Sequence, residues 1–140
     1  MADMPTDILA VNQKLIEDFR ANGMPSDRPL LLLTTTGRRT GIPRTSPVMY
    51  VRDGDRLLVI ASNKGAALDP QWYRNLVADP LVHVEIGTPA GTDSFDATAL
   101  VTTATEYDEL WARIVAGYPF FADHQANIER RIPVVALERA

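Results

Sequence analysis

The chain has 140 residues, 46% hydrophobic and 23% charged, the size and balance of one globular domain spanning 1–140. A net charge of −4, with Lys14 and Lys64 as the only lysines, argues against nucleic acid as a partner and against an oligonucleotide-binding barrel. The absence of cysteine excludes disulfides and thiolate chemistry and fits a reducing cytoplasm, and no apolar run reaches the roughly 20 residues that span a bilayer. In chain order, Thr6 is expected to cap a first helix whose Ile8, Val11, Leu15 and Phe19 share a face. Asn22-Gly23 ends it, Met24-Pro25-Ser26 is loop, and residues 1–28 together form an N-terminal helix and loop. The opening MADMPTDILAVNQ lacks the regions of a signal peptide. Its Asp3 and Asp7, with Glu17 and Asp18, make peripheral contact with an anionic membrane weak.

Leu30 to Leu33 reads as a short buried strand, and Arg44 to Arg52 as a second with apolar residues on both faces. Asp53-Gly54-Asp55 is a hairpin turn leading into a third strand from Arg56 to Ser62, which Asn63-Lys64-Gly65 breaks. Asp69 is expected to cap a second helix with Pro70 at its first position and Trp72, Leu76 and Val77 on its apolar face. From Leu81 to Ile86 the alternation places Val82, Val84 and Ile86 on one side and His83 and Glu85 on the other, a half-buried antiparallel strand. After a turn from Gly87 to Thr92, another strand runs from Phe95 to Val101. Thr105 and Asp108 suggest a capping box for a third helix carrying Tyr107, Leu110, Trp111 and Ile114 on one stripe. A short helix from Ala122 to Arg130 and a strand from Pro133 to Leu137 complete the chain. About six strands without regular crossover helices imply an α+β fold, a small and mostly antiparallel barrel flanked by helices.

The two histidines, His83 and His124, are far apart and form no metal-ligand spacing, so no metal is expected. No G-x-S-x-G, G-x-x-x-x-G-K-[ST] or G-x-G-x-x-G motif is present. The conspicuous stretch is LLLTTTGRRTGIPRTSP, Leu31 to Pro47. From Arg28 to Arg52 there is no acid, and Arg28, Arg38, Arg39, Arg44 and Arg52 concentrate positive charge on an acidic chain. Gly37 and Gly41 allow close backbone approach, and arginine forks suit phosphate or carboxylate oxygens. The turn is therefore either an anion site or a solvated hairpin. Lys64, ahead of the Asp69-Pro70 helix start, marks a second place for an anion. Trp72-Tyr73 is core packing or a ring platform. The aromatics of GYPFFADH, Gly117 to His124, either line a pocket for a flat apolar molecule or close a corner of the core.

Taken together, TTTGRRTGIPR, SPVMYVRDGDRLLVIAS, DPQWYRNLVADP, YPFFADHQ and RRIPVVALE resemble the deazaflavin-dependent nitroreductases, actinobacterial reductases that use coenzyme F420. The resemblance runs from about Leu31 to Glu138. It implies a split β-barrel akin to the FMN-binding split barrels. It also implies hydride transfer from reduced F420 to a quinone, a nitro-heterocycle or an activated alkene such as an enone. The phosphate and polyglutamate tail of that cofactor supply the polyanion that the arginine turn calls for. Carried over by position, Arg38, Arg39 and Arg44 hold phosphate and tail. Ser46, Pro47, Val48 and Met49 form the strand edge against the deazaflavin. Ser62 lies near its reactive part, Trp72 and Asn75 belong to the following helix, and Tyr118 closes the substrate pocket. The implied catalytic residues are Ser62 and Tyr118.

Two departures from the family pattern stand out. The loop after the serine is usually Lys-Gly-Gly and is here Asn63-Lys64-Gly65, which shifts the cation to Lys64. Phe121 and His124 occupy substrate-pocket positions where nitro-reducing members carry tyrosines. The competing readings are an FMN-dependent oxidoreductase of the same barrel and a non-catalytic binder of F420 or an apolar ligand.

Overall fold

The computed structural model describes residues 13–21, 29–88 and 91–140; the expectations at Thr6, Ile8, Val11, Asn22-Gly23, Met24-Pro25-Ser26 and Arg28 lie outside them. Six antiparallel strands close into a barrel in the order β1-β2-β3-β6-β5-β4. They are β1 (Leu30–Thr36), β2 (Pro43–Asp53), β3 (Arg56–Ile60), β4 (Leu81–Thr88), β5 (Gly91–Val101) and β6 (Val134–Arg139). Among the described residues four helices flank them: α1 (residues 13–21), α2 (Gln71–Ala78), α3 (Ala104–Gly117) and α4 (Phe120–Ala126).

Which strands read as continuous apolar runs follows from what covers their outer faces. Leu31 and Leu33 point into the barrel with Val84, Val135 and Leu137. Leu32, on the opposite face, is sealed by Ile16 and Phe19 of α1. Leu57 and Val59 of β3 face the interior, whereas Leu58 and Ile60 pack outward against Leu110, Ile114 and Phe121 of α3 and α4. β6 divides in the same way, with Val135 and Leu137 inside and Val134 and Ala136 outside. Among the described residues β4 has no such apolar cover, and it alternates as expected: Val82, Val84 and Ile86 inside, His83 and Glu85 bonded to Asp96 and Arg20 outside. α2 brings Leu76 into the barrel core, with Trp72 and Tyr73 packed alongside.

Several helix boundaries differ from the sequence expectation. Pro70, not Asp69, is the N-cap of α2, because the Asp69 carboxylate is taken by Arg130 at 2.8 Å. Val77 is 58% exposed; the 3.6-residue rotation gives its place to Tyr73. Thr103 occupies the N-cap of α3 without a side-chain bond, and Asp108 pairs with Arg131, so the Thr105–Asp108 box does not form. α4 begins at Phe120 and ends at Ala126, both ends earlier than expected.

One feature of the sheet positions the site. β2 pairs with β1 from Pro43 to Met49, but with β3 only from Tyr50 to Asp53. The second ladder stops beyond Tyr50–Val59, where the same register would set Pro47 opposite Ser62. Among the described residues, half of β2 therefore presents one edge with no strand beside it, and that half contains Pro43 and Pro47, which lack the amide a neighbouring strand would bond.

Candidate cofactor and acceptor site

The β1–β2 connection is a tight turn. Gly37 N–H donates to Ile42 O at 2.9 Å and Gly41 N–H to Gly37 O at 2.8 Å. Gly41 has φ +72°, and a Cβ on Gly37 would stand 2.8 Å from Thr40 Oγ1 and 3.0 Å from Ile42 O, so both positions require glycine. The turn borders a cleft of about 620 Å³. Its walls are Gln13, Ile16 and Arg20 of α1, residues 37–40 of the turn, residues 43–46 of β2, and Gln71, Trp72 and Asn75 of α2. Among the described residues no acidic side chain lines it.

The three cleft arginines are not equivalent. Arg38 donates from its backbone N–H and from Nη1 to Asn75 Oδ1, at 3.2 and 3.0 Å. Asn75 Nδ2 in turn donates to Thr35 Oγ1 at 3.2 Å. Asn75 and Thr35 are 4% and 2% exposed. Asn75, expected at the cofactor, lines the cleft and is a buried bracket that fixes Arg38. Arg39 and Arg44 are exposed and have no hydrogen-bond or carboxylate partner among the described residues. Two unpaired guanidinium groups on an acid-free cleft fit an anionic ligand. α1 is held beside them by a bidentate Arg20–Glu85 pair at 3.1 and 2.9 Å, which raises the Arg20 pKa through its hydrogen bond to Glu85.

The second grouping surrounds Ser62. After β3 the chain makes a single reversed turn, Asn63–Gly65, with φ values of 50°, 55° and 79° at its three residues. Asn63 steadies it through Nδ2 to Leu68 O at 2.9 Å. Gly65 lies against His124, whose ring is edge-on to Phe120 at 5.6 Å and Phe121 at 6.0 Å. Tyr118 makes edge contacts with the same two phenylalanines. Ser62 is buried, Lys64 exposed, and His124 Nδ1 is buried without a partner among the described residues.

β2 connects the two groupings. From Arg44 to Met49 it covers about 17 Å at strand rise, and Ser46 borders the arginine cleft at one end. Met49 packs toward the cluster that holds Tyr118. The Val48 side chain is 6% exposed inside the barrel, so only its backbone remains for a ligand. Phe121 is 3% exposed and forms the base of the aromatic corner; Phe120, at 41% exposed, is the open ring. Arg38, Arg39, Arg44, Ser46, Trp72 and Asn75 thus share the cleft, while Ser62, Lys64, Tyr118 and His124 gather at the other end.

Sequence reasoning also missed Gln13, Ile16, Arg20 and Arg130. The first three lie on a helix whose pattern signalled only amphipathicity. Arg130 sits in a dibasic run without periodicity. Among the described residues no group of three His, Asp or Glu side chains could hold a metal, and no helix is long and apolar enough to cross a membrane.

Comparison with known proteins gives a consistent picture. The profile of the family described as F420H(2)-dependent quinone reductase matches residues 14–139. An F420H(2)-dependent quinone reductase of Mycobacterium tuberculosis is 37% identical over 119 residues, covering 83% of this chain and 77% of that one. A solved F420-H2-dependent reductase superposes with a TM-score of 0.69 at 35% identity, over 79% of this chain and 95% of its own. A second structure, described as a domain-swapped dimer, gives a TM-score of 0.71 at 33% identity, over 96% and 99%.

Proposed function

Because the chain belongs to the F420H(2)-dependent quinone reductase family, oxidoreductases whose cofactor is reduced coenzyme F420, we propose that it reduces quinones at the opening between β2 and the Ser62 turn. The observation that carries this reading is the acid-free cleft with unpaired Arg39 and Arg44, joined by the open half of β2 to the Ser62–Tyr118 end. Arg39 and Arg44 neutralise the phosphate and carboxylate groups of the cofactor, and Arg38, held by Asn75, adds a fixed third charge. Trp72 closes one side of the cleft. The open edge of Ser46 to Met49 and the turn at Ser62 and Lys64 are the residues that would hold the deazaflavin.

When bound, the cofactor supplies the hydride. The chain's own residues orient and polarise the acceptor. The hydroxyls of Ser62 and Tyr118 donate hydrogen bonds to the acceptor oxygen, where negative charge develops. Phe120 offers an apolar face to a flat ring. Nitro compounds and activated alkenes place their polarised oxygens similarly, and we include them among the acceptors. Phe121 and His124 withhold the hydroxyls that tyrosine would supply for bulky nitro-heterocycles. The absence of cysteine fits a cytoplasmic setting.

The test is spectroscopic. Loss of reduced-F420 absorbance should follow addition of menadione, with nitro and enone acceptors run in parallel and FMN as the alternative cofactor. Tyr118→Phe should lower kcat about tenfold or more, within the range for a hydrogen bond to developing charge. Failure to bind F420 at micromolar protein, or turnover with FMN instead, would overturn the reading.

A further inference from the structure

The Asn63–Gly65 turn needs an explanation for its stability. Three consecutive residues have positive φ and two of them, Asn63 and Lys64, are not glycine. Such conformations persist only where surrounding structure fixes them. The turn's own hydrogen bonds, Gly65 N–H to Ser62 O at 2.9 Å and Ala66 N–H to Asn63 O at 3.0 Å, are local.

The long-range support comes from Arg130, and it uses the whole guanidinium group. Nε donates to Ala66 O at 3.2 Å. Nη1 donates to Ala61 O at 3.1 Å and to Asp69 Oδ1 at 2.8 Å. Nη2 donates to Ser62 O at 2.8 Å and to Ala66 O at 3.0 Å. An arginine has five N–H donors, and here all five are engaged. Three of the acceptors are backbone carbonyls on the two sides of the reversed turn, and the fourth is the carboxylate immediately before α2. The Arg130 side chain is 15% exposed. It has no donor left for a ligand, in contrast to Arg39 and Arg44.

The turn it holds is oriented for binding. Ser62 is right-handed at φ −73° and Asn63 left-handed at φ +50°, a sequence that points successive amides to one side. The amides of Asn63 and Lys64 have no acceptor among the described residues. We propose that Arg130 is a positioning residue: it locks the Ser62–Ala66 turn so that the free amides of Asn63 and Lys64 receive oxygen atoms of the cofactor or acceptor. This deepens the proposed function and rests on it. Lysine cannot replace the planar fork, since a single ammonium reaches neither both sides of the turn nor Asp69 together.

The experiment compares Arg130→Lys and the milder Asp69→Asn with wild type, and uses Arg56→Met as a control. Arg56 joins Asp53, Glu106 and Glu138 at a separate ion-pair network, so its loss destabilises without touching the turn. Three readouts are taken at a temperature where all variants are folded: amide hydrogen exchange at Gly65 and Ala66, F420 affinity by fluorescence titration, and kcat with menadione at saturating cofactor. For Arg130→Lys, exchange at both amides should rise at least tenfold, F420 should bind about tenfold more weakly, and kcat should fall at least tenfold. Asp69→Asn should move all three in the same direction by less. Arg56→Met should lower Tm and leave the three unchanged. Faster exchange with wild-type affinity and kcat, or unchanged exchange, overturns the proposal and leaves the functional reading standing. A wild-type protein that binds no F420 overturns both. If Arg130→Lys does not fold, Asp69→Asn decides by the same criteria.

Discussion

Replacing Arg39 and Arg44 together by alanine separates ligand binding from folding. Neither side chain has a partner among the described residues and both are exposed, so the folded state loses little. Exposed substitutions of this kind lie within about 0.5 kcal/mol. For a chain of this length that is a Tm change of about 2 °C or less. A charge-assisted hydrogen bond contributes about 1.5–3 kcal/mol, and exposure and salt screening reduce it toward about 1–2 kcal/mol per arginine. Two such losses, about 2–4 kcal/mol, correspond to roughly 30- to 1,000-fold weaker binding. Fluorescence titration with F420 at low ionic strength and again at about 0.5 M salt measures this directly. The wild-type affinity should fall with salt and the double variant should be much less sensitive. Affinity within threefold of wild type at low salt, or a large drop in Tm, would refute the argument that these guanidiniums are free for the ligand.

Asn75→Ala should act on both properties. It strands the buried Thr35 hydroxyl and the Arg38 amide, at about 2–4 kcal/mol, so thermal melts should fall by roughly 10 °C while F420 binding weakens. Gly37→Ala should cost about 1–3 kcal/mol, because its Cβ meets Thr40 Oγ1 and Ile42 O; adding Thr40→Ala relieves only the first contact, so recovery of Tm should be partial. The pH dependence of stability should involve Asp53, whose pKa is lowered first by its bond to Arg113 and then by that to Arg56. A depressed folded-state pKa means stabilisation present above the unfolded carboxylate value and lost as pH falls through the folded one. Tm measured between about pH 5 and 2 should drop less steeply in Asp53→Asn than in wild type; parallel curves would exclude this source.

What the sequence disclosed was decided by periodicity and by glycine. Val82, Val84 and Ile86 alternate because only one face of β4 is buried, and that strand was readable at once. The runs at Leu57–Ile60 and Val134–Leu137 were readable as strands, but not which helices cover their outer faces. Capping was read wrongly at Asp69 and at Thr105. In both cases a carboxylate suited to a local role is taken by an arginine, Arg130 or Arg131, from the distant segment between α4 and β6. The turn at Gly37–Gly41 carried its own signal. Its partner Asn75 came only through family resemblance, and its bonds to Arg38 and Thr35 needed the register of α2 against β1. Val48 was legible as a β2 residue, but not that its side chain turns into the barrel and leaves only its backbone on the open edge, since a strand edge and a strand face carry the same residue in a linear reading.

The placement of β6 between β3 and β5 sets an order of events for the site. The arginine turn belongs to a hairpin of sequence neighbours, β1 and β2, which can form early and locally. The Ser62 turn continues from β3, whose far side is sealed only when residues 134–139 arrive, and it is braced by a residue just ahead of them. A chain that loosens from its C-terminal strand would therefore lose the brace on the Ser62 turn while the β1–β2 hairpin keeps its own ladder. Under the proposed function, heat or denaturant would be felt as lost turnover before lost capture of the cofactor's charged end.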